Sequence, residues 1–196
     1  EQSGQIRDVG YELYQSMLEE TISKIRGGQI DMLASIDNQW SPQINLGVSV
    51  LIPETYVADL DVRLGLYRRL SNLSKKVEFE GFAAELIDRF GKIPPEVNTL
   101  LMVVRIKSVC KKAGIGKLDG GPKGATLQFH NDKFVSPEGL VEFIKKQNGL
   151  AKIKDNKLII RRDWKKNADK FKGAFSIAKD LAKIAASYEK NTFARN

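Results

Sequence analysis

The stretch ELIDRFGKIPP, residues 85–95, holds the signals that decide how the surrounding chain folds. Extended back to Phe79, it places apolar residues at positions 79, 82, 83, 86, 87 and 90. This spacing is typical of an amphipathic helix, so we expect the Phe79–Phe90 stripe to lie in a core. Gly91 is a candidate for the C-terminal cap, and Pro94 prevents the helix from continuing and opens the next one.

The opposite face of the same helix carries two carboxylates and two small residues, namely Gly81, Ala84, Glu85 and Asp88. One interpretation is a solvated face on which Glu85 bonds Arg89 at i,i+4. The other is a recognition surface, because small residues allow close approach and paired carboxylates suit a partner that presents arginines.

Composition predicts a soluble globular chain of one domain, or of one domain plus part of another. Of its 196 residues, 42% are hydrophobic and 29% are charged. No run reaches the length of a membrane span, and the first residues, EQSG, do not form a signal peptide. The single cysteine, Cys110, excludes an internal disulfide framework and favours a cytoplasmic location.

Charge is distributed unevenly along the chain. Residues 1–58 hold eight acidic and three basic residues, a net charge of −5, and the whole chain carries +8, so residues 59–196 carry +13. Such asymmetry indicates two pieces with different histories, and the basic piece could lie near nucleic acid.

The pattern of elements predicts an α+β fold. Residues 1–37 contain an amphipathic helix without a partner of its own, and residues 38–58 form a connector with one strand, in which Ile44, Leu46, Val48 and Val50 alternate with polar residues and glycine. From the candidate N-cap Asp59, helices follow to about residue 73, over 79–90 and over 95–113. A small antiparallel sheet of two hairpins comes next, interrupted by a helix from Pro137, and a long helix over about 164–189 closes the chain.

No residue set in the chain predicts catalysis or metal binding. The glycines of Gly114-Ile115-Gly116-Lys117 lack the spacing and the hydroxyl residue of a phosphate loop. His130 is the single histidine, and Cys110 lies at apolar spacing, where a buried structural thiol is expected. We therefore expect no catalytic residue, no metal and no cofactor in this chain, and no ATP hydrolysis by it alone.

Three segments resemble bacterial transcription-repair coupling factors (Mfd). The motif ELIDRFG-x-x-P at residues 85–94 looks like the signature of their C-terminal domain, and the run DLDVRLGLYRRL at residues 59–70 is similar to the pattern that precedes it. Residues 2–20, which begin Gln2-Ser3-Gly4, resemble the end of the motor in these factors and in RecG-type DNA translocases.

The resemblance implies a longer protein, an ATP-dependent DNA translocase that displaces stalled RNA polymerase and recruits the UvrA subunit of excision repair. Residues 1–37 would end the second motor lobe, and Gln2 would couple the nucleotide state to movement on DNA. Residues 38–58 would connect this lobe to a regulatory domain at 59–196. ATP and magnesium would bind the motor, and double-stranded DNA would be its track.

In this family the C-terminal domain covers the UvrA-binding surface of an N-terminal UvrB-like module and holds the resting factor inactive. The resemblance therefore assigns Glu85 and Asp88 to contacts with basic residues of that module, with Arg89 orienting Glu85. The full-length protein would be a monomer without a membrane association. The fragment could form a dimer through the apolar face of its N-terminal helix.

An alternative function does not depend on the acidic face. The lysine-rich C-terminal half, residues 145–190, could make this a nucleic-acid-binding domain, in which case binding to duplex DNA should fall steeply with salt.

Overall fold

The computed structural model describes residues 40–48 and 50–193. These residues divide into two compact units: the first holds Trp40 and the described part of Gly47–Leu101, and the second holds Ser41–Leu46 and the described residues from Met102 onward. The interpretations of residues 1–37, including the role of Gln2, lie outside the described residues.

Three helices follow the connector: α1 (Leu60–Ser71), α2 (Lys76–Phe90) and α3 (Pro95–Lys112). Their ends confirm the predicted caps. The Asp59 side chain accepts a hydrogen bond from the Val62 amide at 2.9 Å. At the other end of α2, the amide of Gly91 donates to the Ile87 carbonyl at 2.9 Å, and its φ of 82° is a value that favours glycine.

The core of the first unit follows the predicted apolar positions only in part. Phe79, Phe82 and Leu86 are buried, but Ile87 is 55% exposed and Leu60 of α1 is 52% exposed. The expected stripe was therefore too wide, because a buried face about 100° across does not reach every apolar position of a wheel. The remaining buried hydrophobic side chains of this unit are Ile52, Val57, Leu66, Tyr67, Leu70, Val97 and Leu100.

The connector before α1 is held by two polar side chains of that helix. The buried Arg63 guanidinium donates to the carbonyls of Val57 at 2.6 Å and Ala58 at 3.1 Å. The hydroxyl of Tyr67 accepts a hydrogen bond from the Ile52 amide at 2.6 Å. These bonds satisfy backbone groups that no strand or helix pairs, so the segment leading into α1 has a defined path.

The second unit is built on a five-stranded sheet with the order β1-β2-β3-β5-β4, where the strands are Gln43–Asn45, Ile115–Gly121, Gly124–Phe129, Ala151–Lys154 and Lys157–Arg161 in chain order. The two predicted hairpins are confirmed as antiparallel pairs. The predicted connector strand is shorter than its alternation indicated, and it pairs parallel with β2. The sheet is therefore mixed rather than purely antiparallel, within the expected α+β class.

Helix α4 (Pro137–Lys146) and the closing helix α5 (Asn167–Phe193) contact each other, and α5 also contacts β2. The closing helix was expected to begin near residue 164, but Trp164 precedes it. The Trp164 amide donates to the Pro122 carbonyl at 2.8 Å, and its buried indole lies against Gly173, where a Cβ atom would come within 2.3 Å of the ring. These contacts keep Trp164 outside the helix.

The two faces of the sheet differ in composition. Strand alternation places the buried Leu118, Leu127 and Leu158 side by side on one face, which we call the inner face. The opposite face, here the outer face, carries the polar and charged residues of every strand. No described helix is long and apolar enough to cross a membrane.

Candidate functional site

The exposed side of α2 forms a narrow surface of small and apolar residues edged by carboxylates. Val77, Gly81, Ala84 and Asp88 follow one another at helical spacing and are all exposed. Val77 is 69% exposed, and a Cβ atom built on Gly81 would meet nothing within 4 Å. We call these four residues the α2 face.

Beside this face, the Glu85 carboxylate is held by two arginines of its own unit. Arg69 of α1 donates to both carboxylate oxygens, at 2.7 and 2.5 Å, in a bidentate pair. Arg89 donates to one of these oxygens at 3.0 Å, so the predicted i,i+4 ion pair is confirmed. The hydrogen bonds from Arg69 and Arg89 lower the pKa of Glu85 to about 2.

Aromatic rings fix the positions of the two arginines. The Arg69 guanidinium lies 5.1 Å from the centre of the Phe82 ring, and that of Arg89 lies 4.9 Å from the centre of the Phe90 ring. Both distances are within the range of cation–π attraction. These attractions favour the positions from which the two guanidinium groups meet Glu85.

The C-terminal end of α2 is fastened by Tyr56. Its hydroxyl lies 3.1 Å from the Leu86 carbonyl and 3.2 Å from the Gly91 carbonyl, to which it can donate, and its ring packs edge-on against Phe90 with centroids 5.8 Å apart. Desolvation raises the pKa of the Tyr56 phenol, which therefore remains a donor over the ordinary pH range.

The structure treats the two predicted acidic residues differently. Asp88 is exposed, and within the described residues no ion pair or hydrogen bond is assigned to its side chain, whereas Glu85 already has two partners. Arg69 was missed as a partner of Glu85. It lies 16 positions away on another helix, where periodicity within one helix gives no signal.

The glycine-rich segment at residues 114–117 and the single cysteine, which the sequence analysis considered as candidate sites, have structural roles. Gly114 has a φ of 66° at the junction between α3 and β2, a helix-to-strand connection, whereas a phosphate loop runs from strand to helix. Burial raises the pKa of the Cys110 thiol to about 12, which makes it an inert core residue. The described residues contain no cluster of histidine, cysteine or carboxylate side chains that could hold a metal ion.

Residues 46–140 match the model of the family described as the TRCF domain. The transcription-repair-coupling factor of Rickettsia conorii is 46% identical over 160 residues, which cover 81% of this chain. The chain belongs to the transcription-repair coupling factor family. The Escherichia coli coupling factor is 33% identical over 147 residues, or 75% of this chain.

A solved structure described as the C-terminal domain of transcription-repair coupling factor has the same fold. It covers 78% of this chain and 98% of its own length with a TM-score of 0.64 at 21% sequence identity. The matched residues span only 14% of the Rickettsia conorii coupling factor and 13% of that of Escherichia coli. Most of a full-length coupling factor therefore has no counterpart in the residues of this chain.

Proposed function

We propose that this chain supplies the regulatory C-terminal domain of an ATP-dependent DNA translocase that couples transcription to excision repair. Residues 59–196 would form that domain, residues 1–37 would close the second motor lobe, with Gln2 linking nucleotide state to movement, and residues 38–58 would connect the two. In the whole protein, which we expect to be a monomer, the motor would use ATP and magnesium on double-stranded DNA. RNA polymerase and UvrA would be its partners.

The observation that carries the regulatory role is the α2 face. The exposed Val77 lies at one end of the strip of small residues, and Asp88 lies at the other end with no assigned partner among the described residues. Ile87, on the neighbouring side of α2, is also exposed. An interface needs an apolar centre that excludes water and a polar group that selects the partner. This surface offers both to a basic partner, for which we propose the N-terminal UvrB-like module of the same protein.

The two carboxylates would have different tasks in this contact. Asp88 would accept an arginine or lysine of the partner directly. Glu85 accepts three hydrogen bonds, and a carboxylate offers about four acceptor sites, so it retains room for about one further donor. Glu85 would therefore share its charge with the partner while it keeps Arg89 in place beside the face.

The test measures UvrA binding to the full-length protein with Glu85→Ala and Asp88→Ala combined. If this domain masks the UvrA site, the double variant should bind UvrA more tightly. Loss of a buried charged contact costs about 2–5 kcal/mol, which allows an increase of more than tenfold. Unchanged UvrA binding would refute the proposed mask.

A matched control variant makes the same change in net charge on a different helix. Glu138 and Glu142 are exposed on α4 at i,i+4 spacing, so Glu138→Ala with Glu142→Ala removes the same two charges outside the α2 face. This control should leave UvrA binding unchanged. An equal gain in both double variants would attribute the effect to net charge and would contradict a role of the α2 face.

A further inference from the structure

The outer face of the sheet is strongly cationic. Its exposed basic side chains come from β2, β4 and β5, namely Lys117, Lys152, Lys154, Lys157 and Arg161. The remaining polar positions on this face are Gln43 and Asn45 on β1, Thr126 and Gln128 on β3, and one acidic residue, Asp119 on β2. Ile159 is the one large apolar side chain that the described strands place there, and it is half-buried.

The register places like charges directly opposite each other. Lys154 and Lys157 are cross-strand partners on β4 and β5, and the next residue across from Lys157 is Gln128, which in turn pairs with Lys117. Directly opposed like charges destabilise a sheet. A row with two adjacent lysines is therefore not explained by the stability of the fold.

Of the described acidic groups near this row, one pairs with Lys117 and none pairs with the basic residues of β4 and β5. Asp119 forms an ion pair with Lys117 at 3.6 Å, and the Asp132 carboxylate accepts a hydrogen bond from the side-chain amide of Gln128 at 3.1 Å. Asp155 lies in the turn between β4 and β5. Among the described residues no ion pair is assigned to Lys152, Lys154, Lys157 or Arg161, although all four are exposed.

We infer that the outer face of the sheet binds the sugar–phosphate backbone of duplex nucleic acid. Lysine, arginine, threonine, asparagine and glutamine side chains are donors that proteins use toward phosphate oxygens. Apart from Asp119 and Ile159, the side chains of this face are of these types. It lacks the apolar centre that a protein partner requires, so an acidic protein is a poorer fit. Contact by lysine point charges should not depend on base sequence.

This surface is distinct from the closing helix, although both contribute to the lysine-rich half of the chain. Helix α5 carries its own line of exposed lysines at helical spacing, Lys172, Lys179, Lys183 and Lys190. Those lysines stand on a helix whose opposite side is buried, as in many solvated helices, and Lys183 approaches Asp180 at 4.0 Å. They therefore provide a matched control for charge without the proposed site.

The experiment titrates the 196-residue chain against a fluorescent 20-base-pair duplex at several salt concentrations. About four phosphate contacts predict that affinity falls about 100-fold between 50 and 200 mM salt. Two duplexes of unrelated sequence should bind equally. A triple variant with Lys152→Gln, Lys154→Gln and Lys157→Gln should bind at least about tenfold more weakly at 50 mM salt. Its slope of log affinity against log salt concentration should be smaller in magnitude by about three.

The control variant carries Lys172→Gln, Lys179→Gln and Lys183→Gln and loses the same charge. Its affinity should stay within about threefold of the parent, because long-range charge alone is screened over about 10 Å at 0.1 M salt. Circular dichroism and thermal melting check that both variants fold.

Three outcomes overturn the inference. They are the absence of duplex binding at 50 mM salt, equal losses in the two triple variants, and tighter binding of polyglutamate than of the duplex with the same dependence on the β4 and β5 lysines. The UvrA measurement in the full-length protein uses different residues, so this inference and the regulatory function can fail separately.

Discussion

On α2, Glu85 accepts hydrogen bonds from two arginines of its own unit. On the outer face of the sheet, Lys154 lies opposite Lys157, and neither has an assigned acidic partner in the part of the chain that the structure describes. In the first region, charges are used to hold the local structure together, and in the second they impose a cost on it. The comparison implies that removing a charged side chain that holds local structure, such as Glu85, should weaken the fold, while removing Lys154 from the sheet should strengthen the fold and weaken duplex binding.

The largest effect is expected at Arg63, whose buried guanidinium donates to two carbonyls of the connector. Arg63→Met keeps much of the side-chain volume but leaves these carbonyls without their donor. The free energy of unfolding should fall by about 2 kcal/mol, because the Val57 carbonyl is buried and an unsatisfied buried polar group costs about 1–3 kcal/mol. Urea denaturation measures this change, and hydrogen exchange should show faster exchange of the Ile52 amide.

Arg68→Met is the matched control for this variant, because Arg68 lies on the same helix and is exposed. Its effect should stay within about 0.5 kcal/mol. Equal losses of stability in the two variants would show that the connector does not depend on Arg63.

A smaller effect with a defined pH dependence is expected at Glu85. The pKa of this carboxyl is lowered to about 2 in the folded chain, so its ion pairs contribute fully above pH 4.5 and are lost as pH falls toward 2. Because the pair is solvent-screened, Glu85→Gln should reduce stability by only about 0.5–1 kcal/mol at pH 7. The difference from the parent should shrink steadily between pH 4.5 and pH 3 in urea titrations.

Glu80→Gln tests whether that loss is specific. Glu80 also forms an i,i+4 pair, with Lys76 at 3.3 Å, but both side chains are more than 60% exposed. Its removal should change stability by less than about 0.5 kcal/mol at any pH. A larger effect for Glu80 than for Glu85 would contradict the importance of the bidentate Arg69 contact.

The smallest effect has the opposite sign. Lys154→Thr removes one of the two opposed lysines and introduces a residue that favours strands, so stability should rise by about 0.5 kcal/mol at low salt. The gain should decrease as salt is added, which distinguishes charge relief from strand propensity. Lys152→Thr is the control, because Lys152 faces Ile159 rather than another cation. An equal, salt-independent gain in both variants would rule out charge relief.

Sequence reasoning succeeded where the physical cause is local. The Asp59 cap and the Gly91 stop depend on hydrogen bonds over three or four residues, and the hairpins depend on short turns. The run DLDVRLGLYRRL could be matched to a family pattern from the sequence alone, before a structural cause for its residues was known. The structure now gives that cause: Asp59 caps α1, Arg63 and Tyr67 hold the connector, and Arg69 binds Glu85.

The remaining features depend on contacts between distant residues. No periodicity predicts that Gln43–Asn45 pairs with a strand more than 70 positions later, or in a parallel orientation. The like-charge pair of Lys154 and Lys157 requires the register of the hairpin. Ile87 belongs to the apolar stripe by spacing but is exposed. A helical wheel could not predict this exposure, because it does not show where the neighbouring helices end.

The burial of Cys110 has a practical consequence for chemical labelling. Only the thiolate reacts with maleimide, and this side chain is both covered and held protonated near neutral pH. Since the chain has one cysteine, an Ala84→Cys variant would take up a single dye on the α2 face without prior removal of the native thiol. The slow rate at which Cys110 is modified would then report how often the core opens. One sample would therefore report both docking at the α2 face and opening of the core.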